Sequence, residues 1–149
     1  MLIKTLLFIV LLSFKSLSAA DAPPANEIFA VINERLSYME DIALFKTYEH
    51  LPVEDLQREQ KLLDNMQTIA VQQGLDPKSI KQFFMVQIAV AKAIQHRYQA
   101  DWLTVSPSRK ALDLHTQIRP ALIQLGEKLI RQMAVYCNVY GGFNSGQSN

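Results

Sequence analysis

The sequence predicts an all-α fold, a bundle of long amphipathic helices, and three observations carry that expectation. Apolar residues recur at helical spacing through four successive stretches between Glu27 and Tyr136. No stretch shows the strict apolar and polar alternation of a half-buried strand. The breaks between stretches hold the residues that start and stop helices: Pro52, Gly74, the pair Asp76 and Pro77, and the run "TVSPSRK".

Residues 1–20 read as an address rather than as fold. "MLIK" gives a charged start, "TLLFIVLLSF" an apolar run short for a bilayer, and "SLSAA" a small-residue end that suits cleavage after Ala20. A secretory signal peptide is expected. Lys15, close to the cleavage point, leaves an N-terminal membrane anchor as the competing reading. Residues 21–140 form one domain of roughly 120 residues, enough for a single core.

The first helix is expected from about Glu27 to Glu49, ending at "HLP". The second opens at "VEDLQREQ" and runs to about Gln73, with Gly74 as its stop. Asp76 as N-cap and Pro77 at the first helical position start the third, which reaches roughly Trp102. The fourth runs from about Asp113 to Tyr136, and Pro120 is tolerable because it falls in or near the first turns. Residues 141–149, rich in Gly, Ser and Asn, are expected to be a disordered tail.

Formal net charge is +1, and no Lys/Arg run appears, so the chain lacks the electrostatic footprint of a nucleic-acid binder. After cleavage of residues 1–20 no membrane partner is expected. The sole cysteine, Cys137, cannot close an internal disulfide. His50, His96 and His115 lack metal-ligand spacing, and no nucleophile with a credible base or glycine-rich phosphate loop is present; neither metal nor cofactor is expected.

What stands out is polar residues on apolar faces. At about 100° per residue, Arg35 and Lys46 fall roughly 20° apart, inside the stripe of Ile28, Ile32, Met39 and Ile42. Asp55, Arg58 and Glu59 share a face with Leu62, Leu63, Met66 and Ile69; Gln87 and Gln95 lie in or beside the stripe of the third helix; Arg119 lies on the line of Ile123, Gly126 and Ile130. Singly, each reads as a snorkelling or helix-end residue. Together, four helices that aim polar groups inward need those groups to satisfy one another or a ligand, because an unpartnered buried charge costs several kcal/mol. Arg35, Lys46, Arg58 and Arg119 outnumber Asp55 and Glu59 by two charges, which calls for a small dianion, most simply a dicarboxylate. Such a site suits binding alone, or a reaction that needs only positioning and electrostatics.

The pattern Arg35-x10-Lys46, then "LPVEDLQRE", then "FFMVQIAVAKAIQ" ending at Gln95 and followed by "DW", resembles the all-helical (type II) chorismate mutases, in particular their secreted subclass. "IRPALIQL" extends the likeness, with Arg119 resembling an arginine that secreted members supply from their own chain. The resemblance implies a periplasmic or secreted, cofactor-free isomerase, a homodimer, that rearranges chorismate to prephenate for aromatic amino acid synthesis. It implies that Arg35, Arg58 and Arg119 bind the substrate carboxylates, that Lys46 and Gln95 donate to its ether oxygen, that Glu59 accepts from its ring hydroxyl, and that Asp55 orients the cations. Ala91 stands where members often carry a small polar residue. Secreted members usually continue for further helices and close a disulfide there, so Cys137 resembles half of a missing pair. A truncated, inactive member and a helical binding module for a dicarboxylate or a partner helix are the competing readings.

Overall fold

The structure is a computed structural model that describes residues 25–141. The expected signal peptide and the tail beyond Gly141 lie outside the described residues. The chain forms α1 (Ala25–Ser37), α2 (Met39–Tyr48), α3 (Leu56–Gln72), α4 (Pro77–Asp101), a π-helical turn (Leu114–Ile118) and α5 (Arg119–Tyr140), and among the described residues there is no strand.

The single first helix expected from sequence is interrupted at Tyr38. Ser37 Oγ donates to the Glu34 carbonyl at 2.7 Å, a local side-chain bond that competes with the helical ladder at this point. Asp55 and Asp76 cap α3 and α4, accepting from the backbone N–H of Arg58 at 3.1 Å and of Ser79 at 2.8 Å. Gly74, with φ of +74°, takes the left-handed conformation that ends α3.

The last helix departs from expectation at both ends. Asp113 begins it, but through the π-helical turn: its side chain accepts from the backbone N–H groups of His115 and Thr116, and its carbonyl receives Ile118 N–H at 3.1 Å. At the far end α5 continues past Tyr136 to Tyr140 and stops at Gly141, whose φ of +77° closes it. "YCNVY" holds no strong breaker, so the first glycine sets the end.

α3 and α2 both pack on α4, while α1 packs on α5, which also touches α3. One core cluster is built around Val31, Leu63, Met66, Phe84, Leu129 and Ile130, and a second around Met39, Ile42, Leu114 and Ile118. The segment between α4 and the π-helical turn is strapped onto α2. Tyr48 Oη donates to the carbonyls of Pro107 (3.2 Å) and Arg109 (3.1 Å), and the Arg109 guanidinium pairs with Asp41 and Glu40. That strap carries the chain back to the site and delivers Arg119.

Candidate active site

Between the two clusters lies a cavity of about 140 Å³, roughly ten times what a single water requires. Its apolar wall includes Met39, Ile42, Leu62, Ile88, Leu114 and Leu122. All eight residues singled out for the site from sequence line it: Arg35, Lys46, Asp55, Arg58, Glu59, Ala91, Gln95 and Arg119.

Arg35, in the last turn of α1, is only 7% exposed and Lys46, in the last turn of α2, 8%. The Arg35 guanidinium sits 5.2 Å from the centre of the Phe84 ring and donates through Nη1 to the Leu122 carbonyl at 2.7 Å. Lys46 Nζ donates to the Val53 carbonyl at 2.6 Å, leaving two of its three N–H donors for other acceptors. Among the described residues neither cation has a carboxylate in salt-bridge contact.

The α3 N-terminus supplies the acidic side. Asp55 caps the helix with Oδ1 and accepts from Arg119 Nη2 at 3.3 Å with Oδ2. Glu59 accepts from Asp55 N–H at 3.3 Å with Oε1 and pairs through Oε2 with Lys92 Nζ at 3.2 Å. Arg119 also donates to His115 Nδ1 at 2.9 Å. Arginine has no acceptor, so in this contact the guanidinium donates and the imidazole nitrogen accepts. His50, His96 and His115 are all exposed.

Lys92 was not among the residues singled out from sequence. It interrupts the apolar run "IAVAKAI" and stands three residues before Gln95 on the same helix, and either signal could have found it. With it, five cations and two carboxylates face the cavity, an excess of three rather than two. The cations carry the cost of their burial. Burial pushes the Arg35 guanidinium down to about 10. Burial also lowers Lys46, with Arg119 adding to the effect and Asp55 and Glu59 opposing it. Arg58 is lowered by burial and by Arg119, against the pull of Asp55. An anion in the cavity would relieve all three.

The neutral donors sit on α4. Gln95, 5% exposed, directs Nε2 to the Ala91 carbonyl at 3.2 Å and to Met39 Sδ at 3.7 Å, a weak acceptor. Its Oε1, together with Gln87 Oε1 and Arg35 Nε, is buried with no hydrogen-bond partner among the described residues. All three belong to residues that line the cavity. Gln87, noticed in the sequence but not assigned to the site, also lines the cavity.

The fold and the cavity define a helical domain with a pocket between its helices whose lining carries a surplus of positive charge. Residues 26–96 match the family described as chorismate mutase type II. The chain is 39% identical over 129 residues to a secreted chorismate mutase of Yersinia pestis, covering 85% of this chain and 68% of that protein. It is 40% identical over 105 residues to a monofunctional chorismate mutase of Enterobacter agglomerans, covering 70% of this chain and 58% of the relative. The crystal structure of the secreted Yersinia pestis enzyme superposes with a TM-score of 0.73 at 38% identity, covering 76% of this chain and 74% of that one. The chain belongs to the type II chorismate mutase family. Arg119 and α5 lie beyond the residues of the family match.

Proposed function

We propose that the chain is an exported chorismate mutase acting on chorismate without cofactor. The observation that carries this reading is the pair Lys46 and Gln95, both buried with N–H donors at one cavity that holds three surplus positive charges. Chorismate is a dicarboxylate with an ether bridge. In its rearrangement to prephenate a carbon–carbon bond forms as a carbon–oxygen bond breaks, and no proton moves. Arg35, Arg58 and Arg119 hold the two carboxylates and fold the substrate so that the bonding carbons approach. Lys46 and Gln95 donate to the ether oxygen as negative charge grows on it; Gln95 exchanges its weak sulfur contact for that oxygen. This is stabilisation of developing charge by donors already in place. Glu59 accepts from the ring hydroxyl, held by Lys92. Asp55 fixes Arg119.

Export rests on the pattern of residues 1–20 and on the secreted relative, with the mature chain beginning after Ala20 and working in the periplasm. Among the described residues no helix is long and apolar enough to cross a membrane. A homodimer is part of the same proposal. Met85, Val86, Ala89, Val90 and Ala93 form an exposed apolar stripe on α4, the kind of face that a second copy covers. Light scattering should give twice the mass of the mature chain.

The deciding experiment is incubation of the purified protein with chorismate while its absorbance is followed. Enzyme-dependent conversion to prephenate with nothing added is expected. A steady absorbance, with saturable binding of a dicarboxylate, would instead make the domain a binding module.

A further inference from the structure

Gly126 sits well inside the 22-residue helix α5, where glycine costs about 1 kcal/mol relative to alanine. No turn and no left-handed backbone requires it there. A Cβ at this position would lie 3.0 Å from Met66 Sδ and 3.1 Å from Arg35 Nη1. Both neighbours are confined. Met66 is fully buried, and Arg35 is held over Phe84 with Nη1 on the Leu122 carbonyl, one turn before Gly126 on the same helix.

We infer that Gly126 is a positioning residue of the site: the side chain it lacks is the space that seats the Arg35 guanidinium against α5. A methyl group there pushes Nη1 off the Leu122 carbonyl and toward the cavity, since Met66 cannot retreat into a filled core. Arg35 Nε, already without a partner, moves with the guanidinium plane. Helix propensity alone would favour alanine, so the glycine is kept at a cost to stability that the seating of Arg35 explains. This rests on the chorismate mutase reading above.

The test is a double-mutant cycle on the full chain, with kcat and KM for chorismate and with Tm. Gly126→Ala should lower kcat/KM about tenfold, with KM rising, a loss on the scale expected when a binding group is displaced by a fraction of an ångström. In an Arg35→Lys background, which has no Nη1, the same substitution should cost less than about twofold. An equal loss in both backgrounds would assign Gly126 to packing alone and overturn the inference, as would Gly126→Ala with wild-type kinetics. If Gly126→Ala folds poorly, the cycle is repeated with Met66→Ala in every variant. That clears the thioether and leaves the guanidinium as the close neighbour, and the same two outcomes decide. Wild-type protein that does not convert chorismate overturns the functional reading itself, a result distinct from an active enzyme indifferent to Gly126.

Discussion

The Asp55 carboxylate closes the N-terminus of α3 through Oδ1 and holds Arg119 of α5 through Oδ2, 64 residues away in sequence. Capping needs only an acceptor, whereas Arg119 and Lys46 respond to the charge, and the two roles can be separated. Asp55→Asn keeps a good N-cap and should leave Tm near wild type; Asp55→Ala should cost a further ~1 kcal/mol. Asp55 raises Lys46 against the lowering effect of burial. The ammonium charge of Lys46 is what stabilises the developing charge on the ether oxygen, so kcat/KM falls as pH rises through its pKa, which burial holds below the ordinary lysine value. In Asp55→Asn that alkaline limb should move to lower pH, which a pH–rate profile reads directly.

Lys46→Ala removes one of the two donors assigned to the ether oxygen. A loss of about 10²–10³ in kcat/KM is expected, the scale for one oxyanion-type donor, with the helical circular dichroism unchanged. Turnover at the wild-type rate would remove Lys46 from the reacting oxygen.

Arg35 sets function against stability. Burial lowers its pKa from the ordinary guanidinium value to about 10, which corresponds to a desolvation cost of order 3 kcal/mol. Both folded and unfolded forms are protonated below pH 10, so this cost is fully present and constant through neutral pH; it is relieved only as pH rises beyond the folded value. Arg35→Met fills similar space without charge and gives up the contact with Phe84, about 1–2 kcal/mol. Calorimetry should show a Tm higher by roughly 3–5 °C, while kcat/KM falls by about 10²–10³. A lower Tm would mean that the buried guanidinium is a net stabiliser of the empty fold.

Gln95→Glu tests the other donor. An amide donates at any ordinary pH, but a carboxyl does so only while protonated. Wild-type kcat/KM should be nearly flat over roughly pH 5–8, whereas the variant's activity should fall as pH rises through the new carboxyl's pKa. A flat profile at the wild-type rate would place Gln95 away from the reacting oxygen.

The helical wheel read from sequence found Arg35, Lys46, Asp55, Arg58, Glu59, Gln95 and Arg119 because an inward polar residue violates an apolar stripe, and a period of 3.6 exposes the violation. All of them reach one cavity. Lys92 was within reach of the same wheel, since it interrupts an apolar run beside Gln95; what a wheel cannot supply is its partner, because Glu59 meets it only through the way α4 lies against α3. Gln87 was visible as an anomaly but had no partner within its own helix to give it a role. The break at Tyr38 and the π-helical turn before Arg119 were not legible either: each depends on side-chain oxygens of Ser37 and Asp113 competing for backbone groups, and hydrophobic period is blind to that competition. The last helix ran long because its stop is one glycine rather than a change of pattern.

The packing of α1 on α5 has a consequence for the chain while it is being made. A nascent polypeptide that ends at Trp102 already carries Arg35, Lys46, Arg58 and Lys92, yet it lacks the Leu122 carbonyl that receives Arg35 and the arginine that answers Asp55. Collapsing at that stage would bury a guanidinium with no acceptor. The charges that serve the finished cavity therefore depend on α5 for their partners: without it Arg35 has no Leu122 carbonyl to donate to and Asp55 no arginine to hold.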